Sequence, residues 1–191
     1  ASQIVMDKAA ASGMMVMIHS RSLEYGSERY GFWEHAVQKF GAHPALLGWH
    51  TVGKPDAELN PPAVLKSLYD YLVKLDPHHP VMTSLTMPSL MADYAPANDI
   101  VMVWSDPLPL SGVSTVGMML DQARAAVDPR PVWAIIQAVG HHWSWDSELD
   151  PEGDGRVPTP DEVRCMSYTA LIHGARGLLY YAYVLDAGNR G

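Results

Sequence analysis

The chain has 191 residues and a formal net charge of −8, and 48% of its residues are hydrophobic while 18% are charged. This balance is typical of an ordinary globular protein, and the length is enough for one domain with a sizeable core. An acidic chain without clustered Lys and Arg argues against a nucleic-acid partner. No run of 18 apolar residues is present, so the sequence predicts no membrane span.

Short apolar runs alternate with segments of helical periodicity along the chain. The predicted helices are 3–12, 32–40, 61–75, 88–94, 114–127 and 161–173, and the predicted strands are 14–18, 46–52, 81–85, 99–104, 132–139 and 178–184. Most of these strands are continuous runs of Val, Ile, Leu and Met, which indicates a parallel sheet covered by helices. The polar segments 21–30 and 143–160 are predicted to be loops.

Polar side chains follow most of the predicted strands, which favours a barrel over an open sheet. They are His19, His50, Lys54, Asp106, Gln137, His141, His142 and Asp186. No Gly-x-Gly-x-x-Gly follows a strand, so nothing supports a dinucleotide-binding sheet. Sites at the carboxyl ends of many strands are typical of (β/α)8 barrels, and six strands are about three quarters of a barrel of roughly 250 residues. We therefore predict an α/β protein, an incomplete (β/α)8 TIM barrel forming a single partial domain over residues 1–191.

The ends of the chain and its one cysteine give two smaller expectations. The sequence lacks an initial Met, opens inside a helical pattern and stops shortly after a strand, so we expect a fragment of a longer protein. The missing signal peptide then says little about localisation. Cys165 has helical spacing within Val163–Met166, which favours a core thiol over a nucleophile.

Four segments in order resemble the glycoside hydrolase (β/α)8 superfamily, particularly bacterial hydrolase-like domains. The segment 43–49 is similar to the approach to barrel strand four, 99–109 to strand six, 132–137 to strand seven, and 158–181 to the helix and strand that close the barrel. The resemblance implies an oligo- or polysaccharide partner, hydrolysis of a glycosidic bond, no cofactor, and an extracellular or periplasmic location.

The sequence departs from this family at the catalytic positions. The fourth strand of such hydrolases ends in Asp-Glu-Pro or Asn-Glu-Pro, whose Glu is the expected acid/base, whereas this chain has Gly53-Lys54-Pro55. Lysine is a poor acid for that step at neutral pH, and Gln137 on strand seven cannot be a carboxylate nucleophile. Two hypotheses follow: a hydrolase, or a catalytically degenerate barrel that holds a glycan without cleaving it.

The candidate site residues divide by role. Asp106 and Asp186 are the candidate catalytic carboxylates, and Lys54 stands where the acid/base is expected. The candidate substrate-binding residues are His19, Trp49, His50, Trp104, Gln137, His141, Trp143, Trp145, Tyr181 and Tyr183. Several have an alternative: Lys54 as a solvated loop residue, Asp106 as a cap before Pro107, and His19 and His50 as core hydrogen-bonding groups. Trp143 and Trp145 would either stack on a sugar or fix their loop. A third hypothesis, a metal-dependent hydrolase with zinc on His141, His142 and Asp146, is weaker, and we predict no metal.

Overall fold

A computed structural model of the chain describes residues 2–20, 27–140 and 156–181, in which six strands alternate with six α-helices. The strands are β1 (Val16–His19), β2 (Leu46–Gly53), β3 (Val81–Leu85), β4 (Ile100–Ser105), β5 (Val132–Gln137) and β6 (Leu178–Tyr181). The helices are α1 (Gln3–Ala11), α2 (Ser27–Phe40), α3 (Pro62–Leu75), α4 (Met91–Tyr94), α5 (Thr115–Val127) and α6 (Pro160–Ile172).

The six strands form one sheet in the order β1-β2-β3-β4-β5-β6. The pairs β1–β2, β2–β3 and β5–β6 are parallel, and the register of the first pair places His19 beside His50. Sequential parallel strands joined by helical crossovers are the repeating unit of (β/α)8 barrels. The predicted fold class, an incomplete barrel of six β/α strands, is confirmed.

The chain divides by its internal contacts into two compact units, residues 1–102 and 103–191. The extent of the predicted domain, 1–191, stays a prediction. In the first unit α3 turns the side chains of Leu65, Leu68 and Leu72 inward at helical spacing, and all three are fully buried. Each such burial stabilises the fold by about 1.5–3 kcal/mol.

The second unit follows the same periodicity on two helices. Helix α5 buries Val116, Leu120, Ala123 and Val127, and helix α6 buries Met166 and Ala170. Helix α6 begins with a capping box in which Thr159 and Glu162 exchange hydrogen bonds. Cys165 is exposed, so its predicted place in the core is wrong. It adjoins Met166 in sequence, but one residue is about 100° of helical turn, which carries Cys165 off the buried stripe.

Several predicted element boundaries also differ from the structure by one or more residues. Helix α2 begins at Ser27, although 21–30 was predicted to be a loop because apolar periodicity starts only at Phe32. The predicted helix 88–94 is a 3-10 turn, Pro88–Leu90, followed by the one-turn helix α4. Strand β5 ends at Gln137 rather than residue 139. Among the helices that the structure describes, none is long and apolar enough to cross a membrane.

Candidate functional site

The carboxyl ends of β1 and β2 bring two predicted site residues, His19 and His50, into direct contact. Their imidazole rings stack with centroids 4.1 Å apart and 25° between the ring planes. His19 Nδ1 lies 3.3 Å from the carbonyl oxygen of His50. Because a carbonyl can only accept, His19 carries its hydrogen on Nδ1, and Nε2 is the acceptor of the neutral ring. His19 is exposed, whereas His50 is buried beneath it.

Burial sets the charge state of His50. Removal from water, and to a lesser degree the charge of a protonated His19 beside it, lowers the pKa of His50 to about 3. His50 Nε2 lies 3.1 Å from the hydroxyl oxygen of Ser84 on β3. His50 is therefore a neutral, hydrogen-bonded support for the exposed ring of His19.

Ser84 also holds the main chain of Lys54, the residue that stands at the expected acid/base position. The backbone N–H of Lys54 donates to the carbonyl oxygen of Ser84 over 2.9 Å. Ser84 is fully buried and Lys54 is half-buried. We call His19, His50, Lys54 and Ser84 the Ser84 cluster; it joins the carboxyl ends of three adjacent strands.

Trp49, a predicted substrate-binding residue, lies apart from the Ser84 cluster. Successive side chains of a strand point to opposite faces, so Trp49 faces the helices while His50 does not. Its indole packs edge-on against Trp33 of α2 and donates to Asp76, at the end of α3, over 3.0 Å. Trp49 is fully buried, and the geometry gives it a packing role.

The second unit gathers Trp104, Asp106 and Tyr181, which we call the aromatic cluster. The rings of Trp104 at the end of β4 and Tyr181 at the end of β6 have centroids 4.5 Å apart. The indole N–H of Trp104 donates to a carboxylate oxygen of Asp106 over 2.8 Å. Trp104 and Asp106 are half-buried and Tyr181 is 37% exposed, so the cluster reaches the surface.

Gln137, the last residue of β5, uses its amide as a backbone clamp. Its oxygen accepts from the N–H of Leu108 over 2.9 Å, and its nitrogen donates to the carbonyl oxygens of Leu108 and Val139 at 2.9 and 3.1 Å. The side chain is buried. An amide nitrogen has two hydrogens, and both are used here. Gln137 thus uses its amide to fix the loop after β4, and its predicted role in substrate binding stays a prediction.

Sequence reasoning missed Ser84 and Asp56. Asp56 is fully buried and accepts hydrogen bonds from the backbone N–H groups of Thr86 and Met87, which ties the loop after β2 to the loop after β3. Ser84 interrupts the apolar run of β3 near its carboxyl end, which was the available signal. The partners of Asp56 lie about 30 residues away and leave no local pattern.

Several predicted residues lie outside the part of the chain that the structure describes. They are His141, His142, Trp143, Trp145, Asp146, Tyr183 and Asp186. Within residues 2–20, 27–140 and 156–181, no group of three or more His, Cys, Asp or Glu side chains is arranged to hold a metal ion. The Ser84 cluster and the aromatic cluster are therefore the two candidate sites of the described chain.

Comparison with known proteins gives structural neighbours only. No family model matches the chain, and no curated protein sequence matches it. A GH99 endo-alpha-mannosidase from Bacteroides thetaiotaomicron superposes with a TM-score of 0.68 at 14% identity, covering 95% of this chain and 60% of the mannosidase. A beta-D-glucuronidase of Dictyoglomus thermophilum gives a TM-score of 0.66 at 12% identity over 95% of this chain and 36% of the other.

A putative beta-galactosidase from Bacteroides fragilis is similar to the same degree, with a TM-score of 0.67 at 11% identity over 93% of this chain and 29% of the other. The chain thus spans less than two thirds of the length of each of these structures. Identities this low speak for fold and not for activity. The predicted resemblance is confirmed at that level: the chain shares the (β/α)8-barrel fold of these glycoside hydrolases.

Proposed function

We propose that this chain is a carbohydrate-active, glycoside-hydrolase-like domain that binds an oligosaccharide or polysaccharide at the carboxyl ends of its strands. The observation that carries the proposal is the aromatic cluster, in which two accessible aromatic rings lie beside an oriented carboxylate at the strand ends. Barrel proteins build their sites at this edge. The structural neighbours include a mannosidase and a glucuronidase, which supports a carbohydrate as the ligand class.

The chemistry of the aromatic cluster suits a sugar. A pyranose ring has apolar C–H faces that pack on aromatic rings, and hydroxyl groups at its edge that need acceptors. Trp104 and Tyr181 supply the aromatic surface. The carboxylate of Asp106, oriented by the indole N–H of Trp104, places an acceptor group beside this aromatic surface.

Two substitutions favour binding over hydrolysis. Hydrolysis of a glycosidic bond needs two carboxyl groups flanking that bond. At the strand end where the resemblance expects the acid/base, the chain has Lys54, and on the seventh barrel strand it has Gln137, whose amide is occupied by Leu108 and Val139. We therefore propose a degenerate glycan-binding barrel.

Hydrolysis is the second candidate, and the orientation of Asp106 favours it. A carboxylate fixed by an indole N–H at a strand end is suitably placed for a catalytic role. Asp186, the other carboxylate that the sequence predicted, would be its partner. In this case the two aspartates would supply the pair of carboxyl groups that is absent at positions 54 and 137.

A binding and turnover experiment distinguishes the two candidates. The full chain is applied to an array of neutral and acidic glycans, and any glycan bound is then incubated with it and analysed for new reducing ends. We expect binding without cleavage, and a loss of binding of about tenfold or more in Trp104→Ala and Tyr181→Ala. Trp49→Phe is the matched control, because that indole packs against the helices.

The hypothesis of a degenerate barrel also predicts the behaviour of Lys54→Glu. If a carboxylate is what the site lacks, reducing ends appear only in that variant. Cleavage by the native chain that disappears in Asp106→Asn would establish the hydrolase instead. Retention of full glycan binding in both Trp104→Ala and Tyr181→Ala would remove the aromatic cluster from the proposal.

A further inference from the structure

A groove in the first unit lies between helices α2 and α3 and contains no residue of either cluster. Its volume is about 260 Å³, and it is lined by Tyr30 of α2 and by Ser67, Asp70, Tyr71 and Lys74 of α3. We call it the α2–α3 groove. Its four residues on α3 are spaced three or four apart, so they form one stripe of that helix. This stripe lies away from the leucines that α3 buries, and its side chains are exposed or half-buried.

The ring of Tyr71 is held by two residues that lie one turn apart on α2. It packs against the ring of Tyr30 with centroids 4.6 Å apart and 74° between the ring planes. Its hydroxyl donates a hydrogen bond to the carboxylate of Glu34. This bond is the main reason that the pKa of Tyr71 is raised to about 12, so the hydroxyl stays protonated at neutral pH. The aromatic side of the groove is therefore formed before a ligand arrives, which lowers the entropic cost of binding.

The charges in and beside the α2–α3 groove balance one another. Asp70 forms an ion pair with Lys66, one turn earlier on α3, and Glu34 is bound to the hydroxyl of Tyr71. Lys74 lines the groove and supplies the second positive charge. An anionic ligand would meet two carboxylates there, and a cationic ligand would meet two ammonium groups. The groove is therefore suited to a ligand without net charge.

We propose that the α2–α3 groove binds a unit of a neutral sugar chain, as a second carbohydrate site in addition to the aromatic cluster. The tyrosine rings offer a surface for the apolar C–H face of a sugar. Its hydroxyl groups need both donors and acceptors, and the groove has both. The hydroxyl of Ser67 donates to the carbonyl oxygen of Ala63 over 3.0 Å, so its oxygen is an acceptor, as is the carboxylate of Asp70, while Lys74 is a donor. The inference takes its ligand class from the proposed function, but it concerns different residues.

The experiment locates binding residue by residue with NMR. The full, isotope-labelled chain is titrated with neutral hexasaccharides of glucose, mannose and galactose, and the backbone amide shifts are followed. We expect saturable shifts in residues 67–74 with at least one of these sugars, in addition to shifts in residues 104–106 of the aromatic cluster. A hexasaccharide of uronic acids and the cation choline are the charged probes. Both should shift residues 67–74 less than the neutral sugar does.

Two variants remove the site and two serve as controls. Tyr71→Ala should weaken binding at residues 67–74 by about tenfold, because it removes a sugar-stacking ring. Ser67→Gln places a longer side chain in the groove from an exposed position, so it should block binding without loss of packing, even if Tyr71→Ala does not fold. Tyr168→Ala, which removes an exposed tyrosine of α6, should leave the shifts unchanged. Trp104→Ala should lose only the shifts of the aromatic cluster.

The two sites can fail separately. The inference would be overturned, with the proposed function left standing, if the neutral sugars shift the aromatic cluster but not residues 67–74. Shifts in residues 67–74 that survive Ser67→Gln, or that are as large with a charged probe, would overturn it as well. Shifts confined to residues 67–74 would instead overturn the proposed function and keep the groove. Failure of every neutral sugar to bind would overturn both.

Discussion

The imidazoles of His19 and His50 stack 4.1 Å apart, one exposed and one buried, across the paired ends of β1 and β2. The ring of His19 is exposed at the strand end, and the buried ring of His50 supports it. This division of roles depends on His50 staying neutral when the solution becomes acidic. The pKa of His50, lowered to about 3 by burial, is therefore central to the Ser84 cluster.

The first prediction concerns stability at mildly acidic pH. An unfolded histidine titrates near pH 6.5, whereas folded His50 has a pKa of about 3, so the unfolded state binds an additional proton between these values. Stability should therefore fall as pH drops from 6.5 towards 3, by about 2 kcal/mol at pH 5. Urea denaturation of the native chain and His50→Gln from pH 5 to 8 measures this difference.

Between pH 5 and 7 the pH dependence of stability depends on His50 and not on the acidic groups whose pKa is lowered. The pKa of Glu162 is lowered to about 2, chiefly by Arg156. Its contribution to the stability of the fold is therefore also lost on acidification, but only below pH 5. The pH dependence in that window should therefore flatten in His50→Gln. An unchanged slope would show that another group is responsible.

The second prediction assigns Trp49 to the core. Asp76 accepts hydrogen bonds from Trp49 Nε1, His79 Nδ1 and the N–H of His78. Burial alone would raise the pKa of Asp76, but these bonds outweigh it and the pKa is lowered. Trp49→Phe should cost about 1.5–3 kcal/mol of unfolding free energy, the range for a bond to a charged group. Affinity for glycans should not change; a parallel loss of affinity would place Trp49 in the binding site.

These contacts show which features a sequence can predict. Strand β3, Val81–Leu85, was predicted with the observed bounds because this short, mostly apolar segment lies between proline-containing turns. Within β2, by contrast, alternation could not decide whether Trp49 or His50 faces the helices, because the residues around both are buried. Trp33 and Asp76 decide this, and they lie 16 and 27 residues away in sequence.

The same limit applies to the functional positions. The sequence predicted that Lys54 and Asp106 stand at strand ends, because a strand and its following turn are local features. It could not predict that Ser84 joins His50 to Lys54, since this needs the register between neighbouring strands. The left-handed backbone of Lys54 was equally hidden, because lysine rarely adopts it.

The third prediction concerns Gly117 on α5. A β-carbon there would lie 2.6 Å from Nε2 of His173, whose Nδ1 is paired with Asp121 at 2.9 Å. Alanine is favoured over glycine inside a helix by about 0.5–1 kcal/mol, but overpacking costs about 1–3 kcal/mol. Gly117→Ala should therefore destabilise the native chain. In a His173→Ala background the clash is gone, and the same substitution should become stabilising.

A double-mutant cycle on thermal or urea unfolding tests this reversal of sign. Gly31 provides the control, because a β-carbon there meets no atom within 4 Å. It lies inside α2, so Gly31→Ala should be stabilising in both backgrounds. Destabilisation by Gly117→Ala of equal size with and without His173 would contradict the predicted contact.

The fourth prediction is that introducing a carboxylate at Gln137 on β5 destabilises the fold. In Gln137→Glu, one oxygen still accepts from the N–H of Leu108, but the other faces the carbonyl oxygens of Leu108 and Val139, which are both acceptors. A buried carboxylate facing two carbonyl oxygens should lower the free energy of unfolding by about 3–5 kcal/mol at pH 7. This is more than Gln137→Met should lose, since that variant only removes the hydrogen bonds. The penalty should shrink as pH falls, because a protonated carboxyl can donate to one of those carbonyls.

Urea denaturation of both variants at pH 5 and pH 7 separates these effects. Gln137→Met should be equally destabilised at both values, whereas Gln137→Glu should recover stability at pH 5. Native stability of Gln137→Glu at pH 7 would mean that the loop after β4 does not depend on the amide clamp. If the clamp is required, Lys54→Glu can be accommodated at an accessible strand end, while Gln137→Glu cannot. Introducing two carboxylates at these strand ends would then also require changes in the loop that begins at Leu108.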